Sequence, residues 1–197
     1  MTPSERATTV AANLFAVNGY SATSTRELAD ALGVTKGTFY HHFPSKEDLL
    51  VQICDESLTR ITAAALAAAE GATDSLGRLE SLVRQHVHTM LADQALHKTM
   101  LTELRSLSNP NYDRVVALRD AYSDIIRETI STCQAEGTLD SSIDAHLLTL
   151  LLLNMLNWTI FWYHPDGAHS PDQIADASVT TFFEGWRRKH AAGSRQP

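Results

Sequence analysis

The sequence predicts an all-α fold: a small N-terminal three-helix head followed by a larger helical body. Three observations predict it. Apolar residues recur at helical spacing in segment after segment of the 197-residue chain. Helix starts and stops carry their own chemistry, a hydroxyl or carboxylate before the segment and a glycine after it. Residues 24–50, STRELADALGVTKGTFYHHFPSKEDLL, hold a short helix, a three-residue turn, a second short helix and the start of a third.

The first helix is expected over residues 3–18. Thr2 caps it, Pro3 suits its first turn, Glu5 stands at the capping-box position and Gly19 stops it. Val10, Leu14 and Phe15 are its expected core residues. Ser24 caps the second helix and Glu27 closes a capping box, with Leu28, Ala29 and Leu32 as the apolar face. Gly33 then takes a left-handed conformation, Val34 tucks between the helices and Thr35 caps the third.

That third helix, residues 36–42, turns Phe39 inward with Phe43 and leaves Lys36, Thr38, Tyr40, His41 and His42 outside. Seven residues do not hold a helix in water, so its purpose lies in what its outer face touches. A second helix of this kind enters the DNA major groove N-terminus first. Lys36, Gly37 and Thr38 then stand nearest base edges, and Tyr40, His41 and His42 nearest phosphates. Pro44, Ser45 and Lys46 open the next helix, where free amides and the Lys46 ammonium make a phosphate site. Thr25, Arg26 and Thr35 complete the set of DNA-contacting candidates.

On Thr25, Leu28, Ala29, Gly33, Val34, Gly37, Tyr40, His42, Phe43, Lys46, Glu47 and Leu49, the first fifty residues resemble the TetR (AcrR-like) transcriptional regulators. The resemblance implies a nine-helix TetR-like fold: a DNA-binding head over residues 1–46 and a ligand-binding and dimerisation domain over 47–190. The head carries Arg6, Arg26, Lys36 and Lys46 against five acidic residues, so few charge contacts and a modest salt dependence are expected.

The fourth helix, residues 46–70, presents Leu49, Leu50, Ile53, Leu58 and Ile61 and then an alanine run at 63–69, where a signal is expected to travel. Over residues 72–93, His86 interrupts a stripe of Leu79, Val83, Val87 and Met90; it is either a satisfied core histidine or a ligand contact. His88 lies on another face, so the two do not form an i, i+4 metal pair. A helix over 94–107 carries Met100, Leu101, Leu104 and Arg105, and Asn109-Pro110 ends it.

The next stripe, over 111–136, runs Tyr112, Val115, Arg119, Tyr122, Ile126, Thr129 and Cys133. An arginine inside it needs a partner, either Glu103 in an internal ion pair or an anionic ligand. The eighth helix is expected from Asp140 or Ser141. Twelve of the sixteen residues at 147–162 are apolar, so it must be covered all round, which implies a second copy. After a turn at 163–167, Ser170, Pro171 and Gln173 start a ninth helix. Leu152 with Ile174, Ser178, Thr181, Phe182 and Gly185 is the expected dimer interface, and residues 191–197 a flexible tail.

A net charge of −7 and only two cysteines, Cys54 and Cys133, suit a cytoplasmic protein without disulfides. No signal peptide is evident, and the apolar run falls short of a membrane span. With no phosphate-binding loop, GxSxG, HExxH or CxxC, neither an enzyme, a metal site nor a cofactor is expected.

A second resemblance rests on Asn157, Trp158, residues 161–167, Ser170, Pro171, Ile174, Ala175 and Asp176. These look like the TetR branch that regulates fatty-acid, phenylacetate and sterol degradation in response to acyl-CoA thioesters. Members of that branch often place a basic residue where this chain has Asn154 and Trp162, so Arg105 or Arg119 must replace it. The expected function is a homodimeric repressor on a palindromic operator of double-stranded DNA, released by a small hydrophobic effector. That effector is expected against His86, Met90, Met100, Leu104, Arg105, Tyr112, Arg119, Tyr122, Asn154 and Trp158. The competing reading is a repressor of a drug-efflux gene that responds to cationic amphiphiles; only Glu103 offers such a ligand an inward acid.

Overall fold

The computed structural model describes residues 3–186. Among these there are nine α-helices: α1 Pro3–Asn18, α2 Thr25–Leu32, α3 Lys36–His42, α4 Lys46–Ala69, α5 Ser75–Ala92, α6 Gln94–Glu103, α7 Asn109–Ala135, α8 Ala145–Trp162 and α9 Pro171–Trp186. A 3₁₀ turn, Leu104–Ser106, joins α6 to α7. The expected cap Thr2 and the expected tail at 191–197 lie outside the described residues. The chain forms two compact units. The first holds the chain up to Ala63 with Thr89–Tyr122, the second Ala64–His88 with the chain from Ser123 onward. The chain passes from one to the other inside α4, α5 and α7, not in loops.

In the first unit, Phe15, Leu28, Phe39, Leu49, Leu50 and Ile53 share one core with Leu96 and Met100 of α6 and Val115 of α7. Burying a large apolar side chain of this kind is worth about 1.5–3 kcal/mol. The face that α1 buries is Ala7, Ala11, Ala12 and Phe15, while Val10 and Leu14 are only partly covered. Alanines let a neighbouring backbone approach, and α6 uses that: the Thr99 hydroxyl donates to the Ala12 carbonyl at 3.0 Å. The head's core is therefore continuous with α6 and the start of α7.

Several boundaries differ from the sequence reading for local reasons. The Asp74 carboxylate accepts from the Gly77 amide at 2.7 Å, and α5 begins at Ser75. Pro110 does not merely end α6; it sits in the first turn of α7, where a missing N–H leaves no bond unmade. Helix α8 begins at Ala145, capped by Asp144, whose carboxylate accepts from the Leu147 amide at 3.1 Å. Asp140 is used differently: its carboxylate takes the Ser142 amide, while the Gln134 side chain donates to the carbonyls of Asp140 and Ile143.

In the second unit, Ser170 and Gln173 form the expected capping box at α9. Arg84 of α5 pairs with Asp176 of α9, and His88 stands 3.3 Å from Asp172. Leu148, Leu152, Leu156 and Ile160 are the buried row of α8. Leu152, expected at a dimer interface, is fully interior. Ile174, Ser178 and Phe182 of α9 are likewise buried in the chain's own packing, and of the expected α9 stripe only Thr181 and Gly185 are exposed. The outward row of α8 is instead Leu147, Leu150, Leu151, Trp158, Phe161 and Trp162.

Candidate nucleic-acid interface and effector region

The reading helix is positioned by chemistry at each end of α2 and at the start of α3. At Ser24 the capping box is complete: the hydroxyl accepts from the Glu27 amide (3.2 Å) and the Ser24 amide donates to the Glu27 carboxylate (2.7 Å). That bonding holds the Glu27 carboxyl below its ordinary range. At the other end Gly33 has φ +71°, and the amides of Gly33 and Val34 donate to the carbonyls of Asp30 and Ala29. This double bond pattern ends α2 sharply. One residue later the Thr35 hydroxyl accepts from the Thr38 amide at 3.1 Å and starts α3.

Phe39 is buried, and its ring meets that of Phe43 with centroids 5.5 Å apart. Helix α3 is thereby fixed in roll, and Thr35, Lys36, Gly37, Thr38, Tyr40, His41 and His42 are all exposed together. Two contacts order this row. The Tyr40 hydroxyl lies 3.3 Å from that of Thr25, and the Lys36 ammonium stands 5.8 Å from the Tyr40 ring centroid. Thr38 shares its hydroxyl with Thr35 at 2.9 Å. Arg26 reaches Asp30 at 3.8 Å across an exposed helix face, a contact worth little in water.

Lys46, expected at a phosphate, is also engaged within the chain. Its ammonium donates to the Tyr20 and Thr23 carbonyls at 2.8 and 2.9 Å. Partial burial lowers its pKa, opposed by the nearby Glu103 carboxylate. Sequence reasoning placed a lysine at a helix start; it had no signal that the loop before α2 folds beneath it.

The effector candidates divide between the two units. In the first, Met90, Met100 and Tyr122 are buried, Leu104 and Tyr112 are half-buried and Arg105 is exposed. Burial raises the Tyr122 pKa beyond its ordinary value. Arg119 is a correction to the sequence reading: its side chain is 48% exposed and pairs with Asp120 at 3.1 Å, and Glu103 instead accepts from the Ser106 hydroxyl. The α7 stripe slides past Arg119 because 3.6 residues per turn carry it to the edge of the buried face.

In the second unit His86 is buried and its Nε2 lies 3.2 Å from Asn157 Oδ1. Asn157 is half-buried on α8, which also turns Thr149 and Thr159 inward. Asn154 is exposed and donates back to the Leu150 carbonyl, and Trp158 is 66% exposed. Trp158 and Phe161 meet at a tilt of 43° with centroids 4.8 Å apart on that outer face. By length and composition alone, α8 is apolar enough to cross a bilayer. A groove of about 230 Å³ between α8 and α9 is lined by Met155, Trp162, Gln173, Ala177 and Thr181. Among the described residues no group of three His, Cys, Asp or Glu side chains could hold a metal ion.

Residues 8–53 match the family described as bacterial regulatory proteins of the tetR family, and residues 72–186 match the tetracyclin repressor-like C-terminal domain. The HTH-type transcriptional repressor KstR2 of Rhodococcus jostii is 26% identical over 182 residues, covering 92% of this chain and 89% of that one. The structure of the TetR family transcriptional regulator PfmR from Thermus thermophilus superposes with a TM-score of 0.84 at 34% identity, covering 91% of this chain and 97% of that one. AibR, solved in complex with isovaleryl coenzyme A and operator DNA, superposes with a TM-score of 0.81 at 26% identity, over 92% and 98% of the two chains.

Proposed function

Because the chain belongs to the TetR family of bacterial regulatory proteins, we propose that it acts in the cytoplasm as a homodimeric transcriptional repressor on a palindromic operator. We further propose that a small hydrophobic effector of the acyl-CoA thioester class lowers its affinity for that operator. The observation that carries this reading is α3. A seven-residue helix is capped by Thr35, pinned by Phe39 and left with Lys36, Gly37, Thr38, Tyr40, His41 and His42 all exposed. Residues near its N-terminus suit base edges and those near its C-terminus suit phosphates.

Dimerisation is supported by the outward row of α8, whose six large apolar side chains stay 41–66% exposed among the described residues. A second copy on that face gives the two heads a palindromic operator requires. For the effector class, support comes from AibR, whose complex contains a coenzyme A thioester and operator DNA. The interior of the first unit adds to it, since Met90, Met100 and Tyr122 suit an apolar ligand. Release follows if the effector binds better to a state whose heads no longer match two successive major grooves; DNA affinity then falls by that difference in binding free energy.

Fluorescence anisotropy of a labelled fragment from just upstream of the protein's own gene tests this, first with protein and then with a panel of acyl-CoA thioesters. Binding as a dimer, reversed by one chain-length or ring class, is the expected result. Binding that no thioester reverses refutes the effector class and leaves the repressor. A protein that binds no promoter fragment refutes the reading as a whole.

A further inference from the structure

Adjacent residues at the start of α4 are committed to different neighbours. Lys46 donates to carbonyls of the loop before α2. The Glu47 carboxylate accepts three hydrogen bonds on one oxygen, from the Ser108 amide (2.8 Å), the Ser108 hydroxyl (2.5 Å) and the Asn111 side-chain amide (2.7 Å). These bonds hold the Glu47 carboxyl below the usual carboxylate range. Ser108 is the residue preceding α7 and would ordinarily cap that helix with its own hydroxyl. Its hydroxyl donates to Glu47 and accepts from the Asn111 side-chain amide at 3.4 Å, so the first turn of α7 is gripped by a residue of α4.

We propose that Glu47 is a positioning residue that makes the DNA-reading helix follow the first turn of α7, a role that presupposes the effector-responsive operator binding proposed above. The geometry supplies each link. Only Phe43, Pro44 and Ser45 separate α3 from α4, and Phe43 is buried in the same core. Helix α7 is continuous from Asn109 to Ala135. A second tie between the same two helices, Arg114 to Asp55, lies further along each. Two ties spaced along two helices resist relative rotation as well as sliding. The negative charge also sits beside the N-terminal end of α7, where backbone amides favour it.

The test separates positioning from mere helix capping. Spin labels placed at V17C on α1 and L118C on α7 report their separation. Both sites are exposed, whereas the native Cys54 and Cys133 are buried. Labelled chains diluted with unlabelled ones restrict the signal to a single chain. Glu47→Ala is expected to broaden the distance distribution and to weaken binding to the fragment upstream of the gene about tenfold, within the ordinary range of coupling between sites. Glu47→Gln, which keeps the accepting oxygen, is expected to restore most of both. Asn111→Ala removes a single donor and should shift both readouts the same way by less, and it stands in if Glu47→Ala does not fold. A lower melting temperature with an unchanged distribution and unchanged affinity overturns the proposal and leaves Glu47 a cap. The distances are recorded without DNA. A wild-type protein that binds no fragment therefore refutes the regulator reading, while the distance distribution still decides the role of Glu47.

Discussion

The Lys46 ammonium donates to the Tyr20 carbonyl at 2.8 Å and stands 4.1 Å from the centroid of the Tyr20 ring. A second bond to the Thr23 carbonyl closes the loop on which the Ser24 cap depends. Hydrogen bonds from a charged donor contribute about 1.5–3 kcal/mol, toward the lower end at a partly exposed site such as this. Lys46→Met is expected to lower the urea midpoint by an equivalent of about 1–2 kcal/mol. It should leave the slope of log affinity against log salt for operator binding unchanged. Lys36→Ala should do the opposite, keeping stability and reducing that slope by about one phosphate contact. A flatter slope in Lys46→Met would place Lys46 at the DNA after all.

Gly33 offers a cleaner test of the turn. Its φ of +71° is in the left-handed region, and an added Cβ would meet no atom within 4 Å. Gly33→Ala therefore suffers no clash, only the backbone penalty, and should cost about 1–2 kcal/mol in denaturant unfolding. Gly33→Asn should cost less, because asparagine visits this region more readily. Equal costs for the two would mean that packing, not φ, sets the choice of glycine.

What was legible in the sequence follows a physical divide. Ser24 with Glu27, Gly33, Thr35, and Ser170 with Gln173 each act on atoms within four residues, and each was readable from the chain alone. Lys46 and Glu47 were not, because their partners at Tyr20, Thr23, Ser108 and Asn111 are distant in sequence. The start of α8 failed for the same reason. Asp140 and Asp144 are both reasonable caps, and the Gln134 side chain, holding the loop by two carbonyls, leaves the role to Asp144. On α8 itself periodicity carries no information, since a helix that is apolar on every side does not show which face is interior. Leu152 and Trp158 are therefore indistinguishable in sequence and opposite in the structure.

His97 should make stability pH-dependent. It is fully buried, and its Nδ1 lies 2.8 Å from the Ser57 hydroxyl. Burial pushes its pKa down to about 4; Arg60 adds to this, while Asp93 and the Thr89 backbone oppose it. The unfolded chain, with an ordinary histidine pKa near 6.5, thus binds a proton that the folded chain refuses between those values. Stability is full above about pH 6.5 and falls by roughly 1.4 kcal/mol per pH unit on the way down to about 4 from this group alone. Comparing urea unfolding at pH 7 and pH 5, the wild type should lose about 2 kcal/mol more than His97→Leu. Equal losses would show that His97 is protonated without penalty.

Trp158 tests what covers α8. It is 66% exposed with its ring tilted against that of Phe161, and Leu147, Leu150 and Leu151 stand out on the same helix. If a second copy covers this face, a carboxylate placed there must be desolvated against apolar side chains, which costs several kcal/mol when unpaired. Trp158→Glu is expected to raise the dimer dissociation constant at least about a hundredfold, since each 1.4 kcal/mol is a factor of ten. Sedimentation velocity at micromolar concentration should then show a monomer with the helical circular dichroism of the wild type. Operator affinity should fall with it, because a single head contacts one half-site. Thr181→Glu and Leu151→Glu, on the exposed sides of α9 and α8, should act in the same direction if the two helices form one seam. A Trp158→Glu protein that remains dimeric at the same concentration would remove α8 from the interface and leave its exposed apolar row to another partner.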